Sequence, residues 1–79
     1  MNGFSKFIAV NPKIRFGKPC IKGTRISVAD ILQWLASGMS ISEIIEDFPE
    51  LNENQIKAAL LFAVYRDNIT KMVSREVVA

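Results

Sequence analysis

Three times between residues 27 and 55 the chain repeats one construction: a capping-type residue, two others, then a side chain able to bond back to it. The pairs are Ser27 with Asp30, Ser40 with Glu43, and Asn52 with Gln55. Each has the form of a capping box, in which two side chains satisfy backbone N–H groups that a helix start leaves open. Each is bracketed by an apolar pair at staple spacing: Ile26 with Ile31, Met39 with Ile44, Leu51 with Ile56. A chain that specifies three helix starts so completely is confined to a mainly α fold.

The stops agree with the starts. Gly38 suits the left-handed position that ends a helix, and Pro49 prevents a second helix from continuing. The pattern predicts helices near 28–37, 41–48 and 53–67. Apolar residues recur at helical spacing as Ile31, Leu32 and Leu35, then Ile41, Ile44, Ile45 and Phe48, then Ile56, Ala59, Leu60, Ala63 and Val64. These faces are expected to form a three-helix core over residues 27–68, followed by a tail at 69–79. A short helix, the turn Pro49-Glu50-Leu51-Asn52 and a longer helix have the spacing of a helix-turn-helix. A plain helical hairpin has the same spacing.

Residues 1–26 read differently. Phe4 to Val10 is rich in β-formers and stops at Asn11-Pro12, which predicts a short strand. Ile14-Arg15-Phe16 and Cys20-Ile21-Lys22 read as further extended pieces around Gly17-Lys18-Pro19. Pro19 restricts the residue before it to extended conformations. The expectation is a basic arm with short strands leading into the helices.

Charge divides along the same line. Of the ten basic residues, Lys6, Lys13, Arg15, Lys18, Lys22 and Arg25 all precede the first acidic residue, Asp30. From Ile26 to Ile56 there is no Lys or Arg, while Asp30, Glu43, Glu46, Asp47, Glu50 and Glu53 accumulate. At 79 residues the chain allows one core, and a domain of this size buries only about 60–65% of its unfolded surface. With 49% hydrophobic residues, apolar surface is left over, and a homodimer is expected. The apolar run Ala58–Tyr65 is far short of the roughly 20 residues that span a bilayer. The start lacks the apolar segment of a secretory signal and the single cysteine has no partner within the chain, so a cytoplasmic protein is expected.

The chemistry of catalysis is thin. The chain has no histidine, the commonest general base and metal ligand. Cys20 lies in an apolar stretch and reads as a small buried hydrophobe. Glu43, Glu46, Asp47 and Glu50 read as a solvated face and not as a magnesium site. Gly17-Lys18-Pro19-Cys20-Ile21-Lys22-Gly23-Thr24 has the residues of a phosphate loop in the wrong order, because Lys22 precedes Gly23 and the flanks are extended. No catalytic residue, metal site or cofactor is expected.

What remains is contact with macromolecules. Lys13, Arg15, Lys18, Lys22 and Arg25 form a turn-rich basic segment suited to DNA phosphates, or else a solvated hairpin. Asn54, Gln55 and Lys57 sit near the start of the third helix, where a recognition helix reads bases. Glu50 and Glu53 oppose that role by charge. Leu61, Phe62 and Tyr65 are apolar residues left on the third helix and suit a protein partner.

The segment from Gly17 to Ile26, with Ala36-Ser37-Gly38-Met39-Ser40 and Asp47-Phe48-Pro49-Glu50-Leu51, resembles a prokaryotic domain-of-unknown-function family. Its signature is Gly-Lys-Pro-x-Ile-x-Gly-Thr-Arg-Ile, and the likeness runs from about Asn11 to Tyr65. The resemblance implies a homeodomain-like helix-turn-helix preceded by short strands, and a VapB-like antitoxin encoded beside a toxin, a PIN-like nuclease. It supplies no catalytic residues. The resulting expectation is a protein that neutralises its toxin and binds double-stranded DNA to repress its own operon. The other reading is a protein-interaction module that uses the helical scaffold without DNA.

Overall fold

The computed structural model describes residues 6–74, with side chains described for residues 6–66. The elements are β1 (Ile8–Ala9), a 3-10 turn at Arg15–Gly17, β2 (Cys20–Ile21), α1 (Val28–Ala36), α2 (Ile41–Asp47) and α3 (Glu53–Ser74). The fold is mainly helical, with a short antiparallel sheet at its N-terminal end.

All three capping boxes form. The Ser27 hydroxyl accepts from the Asp30 amide at 3.0 Å while the Asp30 carboxylate accepts from the Ser27 amide at 3.1 Å. Ser40 and Glu43 exchange the same pair at 3.1 and 2.8 Å. Asn52 and Gln55 do so at 2.9 and 2.7 Å. At the end of α1, Gly38 takes a φ of +106°. The Met39 amide donates to the Trp34 carbonyl and the Gly38 amide to the Leu35 carbonyl, both at 3.1 Å, which completes a Schellman ending. No glycine or proline follows Pro49, and α3 runs on to Ser74, past the end expected near 67.

In the sheet Ile8 pairs with Ile21 and Ala9 with Cys20. A further bridge joins Cys20 to Ser27, the cap of α1, so the sheet leads directly into the first helix. The turn between them is closed by Thr24, whose hydroxyl donates to the Ile21 carbonyl at 2.9 Å and accepts from the Ile26 amide at 3.0 Å. That hydroxyl is committed to the turn.

One core serves both halves. Ile8, Ile21 and Ile26 from the N-terminal region are buried together with Val28, Ile31, Ile44, Leu51, Ile56 and Ala59. The Trp34 and Phe48 rings stack with centroids 4.3 Å apart and pin the end of α1 to the end of α2. Cys20 is buried as a free thiol.

Two further expectations fail. Ile14-Arg15-Phe16 is not extended: Arg15, Phe16 and Gly17 have φ of 52°, 58° and 81°, a left-handed turn. Tertiary contacts of Arg15 override the β preference of Ile and Phe there. The core face of α3 is also rotated from the one expected, since Ala58 is buried whereas Leu60 and Val64 are exposed. Length explains part of this. At about 1.5 Å per residue α3 is about 33 Å long, while α1 and α2 reach only about 14 and 11 Å. Beyond its first turns α3 outruns the helices that would cover it.

Candidate functional site

Of the six basic residues of the N-terminal region, Lys6 lies over the Phe7 ring at 5.8 Å, Arg15 is held by an ion pair, and the other four are not. Arg15 is held: its Nη1 donates to the Asp30 carboxylate at 2.9 Å and to the Arg25 carbonyl at 2.7 Å. Asp30 thus closes the capping box of α1 and anchors the left-handed turn with the same oxygen. Burial pushes its carboxyl up, but hydrogen bonds from Arg15 and the Ser27 backbone, with the Arg15 charge, outweigh this and leave it below its ordinary value. The Arg15 guanidinium moves up, first through its hydrogen bond to Asp30 and then through that charge.

Lys13, Lys18, Lys22 and Arg25 are exposed, and none enters a salt bridge among the described residues. The fold places three of them. Lys18 and Lys22 line one shallow depression with Asn11, Ile14 and Gly23. Arg25 is tied to the turn through its carbonyl, which Arg15 grips. Between Lys6 and Ala29 there is no carboxylate side chain to offset them. The result is an exposed basic surface suited to an extended polyanion.

The start of α3 is arranged otherwise. Gln55 is engaged in the capping box, and Lys57 pairs with Glu53 at 3.2 Å. Asn54 is exposed, and exposed Glu46, Asp47, Glu50 and Glu53 precede it in sequence. Further along the helix Leu60, Leu61, Val64 and Tyr65 form an exposed apolar stripe at i, i+1, i+4 and i+5. Phe62, expected on that surface, instead packs half-buried against the core, with the Arg66 guanidinium 5.6 Å from its ring centroid. Sequence reasoning missed Leu60 and Val64 because helical periodicity marks an apolar face without showing where its cover ends.

Among the described residues no group of three or more His, Cys, Asp or Glu side chains gathers in a way that could hold a metal ion. No helix among them is long and apolar enough to cross a membrane.

A family model described as "Protein of unknown function (DUF433)" matches residues 8–63. The chain belongs to that family. The match takes in the basic turns, the capping boxes and the start of the stripe. The DUF433 chain is similar to "Uncharacterized protein y4eO" of Sinorhizobium fredii (strain NBRC 101917 / NGR234), 31% identical over 58 residues. That alignment covers 73% of this chain and 26% of the relative, so the chain spans about a quarter of that protein's length. Its fold is similar to the crystal structure of a DUF433 member protein from Anabaena variabilis ATCC 29413. The TM-score is 0.69 at 23% identity, over 92% of this chain and 69% of the other.

Proposed function

We propose that this DUF433 protein is a cytoplasmic DNA-binding antitoxin of a type II toxin-antitoxin system. Its basic arm holds duplex DNA at its own operon, and the exposed stripe of α3 engages a PIN-like nuclease toxin. The observation that carries the reading is the segregation of the two surfaces. Exposed cations concentrate before Asp30, and four of the six exposed large hydrophobic side chains described lie together after Lys57, Val10 and Phe16 of the arm being the other two. A protein that holds a nucleic acid and a protein partner at once needs two such faces. The short-long helix pair α2 and α3 is taken as a homeodomain-like helix-turn-helix, with the arm supplying most of the charge. Binding as a homodimer would double the phosphate contacts.

The distribution of charge at α3 favours one other reading, a protein-interaction module without DNA. Glu50 and Glu53 flank the start of the helix and repel phosphates, and Lys57 is paired with Glu53. Salt titration of binding to the protein's own upstream DNA separates the two. Each phosphate contact contributes roughly −0.9 to the slope of log affinity against log salt, so replacing Lys18, Lys22 and Arg25 by Ala should reduce the slope's magnitude by about 2 to 3. Asn54→Ala should leave the slope unchanged. Absence of binding by the wild type at every salt concentration would decide for the interaction module.

A further inference from the structure

The most exposed large hydrophobic side chain described is Phe16, at 99% of its full accessibility; the next is Val10, at 61%. A single exposed apolar residue is ordinary. The backbone beneath this one is not. Arg15, Phe16 and Gly17 are consecutive left-handed residues, and for Arg and Phe that conformation crowds Cβ against the following carbonyl oxygen. Sparsely populated conformations persist where the surroundings over-determine them, and they cluster at functional sites.

This turn is over-determined. The Gly17 amide donates to the Ile14 carbonyl and the Lys18 amide to the Arg15 carbonyl, both at 3.1 Å. The Lys13 amide donates to the Asn11 side chain at 2.9 Å. The Arg15 guanidinium then fastens the turn to Asp30 and the Arg25 carbonyl. The core gains nothing from this arrangement at Phe16, since the ring it holds lies wholly in solvent. A strained, braced turn that displays a phenyl ring is explained by a contact outside the fold.

The setting says which contact. Lys13 and Lys18 lie within three residues of Phe16, and Arg25 adjoins the turn through the Arg15 bond. An apolar ring among cations matches a nucleic acid, whose base steps accept apolar wedges while its phosphates take the charge. We infer that Phe16 is the arm's base-contacting residue, its ring pressed against a base step of duplex DNA while Lys13, Lys18 and Arg25 hold the flanking phosphates. This rests on the DNA-binding reading and adds what that reading lacks, a side chain that touches bases.

The test uses the full chain and duplexes of its upstream DNA carrying 2-aminopurine at successive positions. Phe16→Ala and Phe16→Gly are compared with the wild type and with the Lys18, Lys22 and Arg25 triple alanine variant. Both Phe16 variants should bind about tenfold or more weakly, with an unchanged salt slope, and should lose the 2-aminopurine fluorescence change seen with wild type. Phe16→Gly relieves the left-handed strain, so its melting temperature should equal or exceed that of wild type. A fold that melts no lower yet binds more weakly assigns the ring to the ligand.

If the triple variant flattens the salt slope while both Phe16 variants bind and fluoresce as wild type does, the arm binds DNA and the wedge is overturned. If wild type binds no duplex, both readings fall. If the Phe16 variants keep DNA affinity but lose a protein partner, the ring is a protein anchor and the inference is wrong.

Discussion

The helical half of this protein and its N-terminal arm are held by different means. From Ser27 onward each helix start carries its own complete capping box, and α1 also has its own ending at Gly38. These devices act within a few residues of themselves. The arm has two-residue strands, a left-handed turn and a long-range tie from Arg15 to Asp30. It keeps its shape because the bundle is already there. The difference teaches where function can be placed: helices whose starts are fixed locally can carry a strained, highly charged segment that is fixed only by long-range ties.

The largest effects should come from asking whether the two regions are one cooperative unit. Ile31 in α1 and Ile21 in β2 are both buried to within 1% exposure. Replacing either by Ala should cost about 2–5 kcal/mol, in a single urea transition with the same midpoint by every probe. If Ile21→Ala costs almost nothing, or splits the transition, the arm is an appendage and the shared core does not exist.

Asp30 joins the regions, and its removal should be the next largest effect. Asp30→Asn weakens the cap of α1 and removes the charge that holds Arg15, for about 1–2 kcal/mol in all. The sign with pH follows from its lowered carboxyl. The folded state favours the ionised form, so the stabilisation is fully present above the ordinary value of 3.8 and is lost as pH falls through the lower folded value. Wild type should therefore lose stability over that acid range faster than Asp30→Asn does. Parallel acid limbs for the two proteins would show that Arg15 and Asp30 do not couple arm to bundle.

How much of this was legible in the sequence follows the same division. The helix starts were readable because a capping box is four residues long and its partners are its own neighbours, and Gly38 was readable for the same reason. The turn at Arg15–Gly17 was not, because the bonds that force Arg15 and Phe16 left-handed come from Asp30 and Arg25, ten or more residues away. Nothing local distinguishes Ile14-Arg15-Phe16 from an edge strand. The core face of α3 fell between these cases: its periodicity was visible, but the packing of the other helices sets which side of α3 is covered, burying Ala58 and half-burying Phe62 while Leu60 and Val64 stay exposed. Among candidate site residues the sequence marked Lys13, Lys18, Lys22 and Arg25 as basic residues of the arm, and all four are exposed. It had no means to set Arg15 apart from them, or to single out Phe16.

The smallest effect on folding is expected at the stripe. Leu61→Ser and Val64→Ser lie at 45% and 56% exposure and should change stability by no more than about 0.5 kcal/mol. On the antitoxin proposal they should nonetheless abolish capture of the proposed PIN-like nuclease partner. A large loss of stability would place the stripe inside a dimer core and merge the two surfaces that the proposal keeps apart.

The central claim is that the arm meets DNA and the bundle carries it. Amide chemical-shift mapping tests this most directly, by titrating a duplex from the upstream region into the isotope-labelled protein at low salt. The account predicts that the largest perturbations fall on residues 13–26, Phe16 and Gly17 among them, with Asn54 to Lys57 shifting little. Perturbations concentrated at Glu53 to Lys57, with residues 13–26 unmoved, would contradict it.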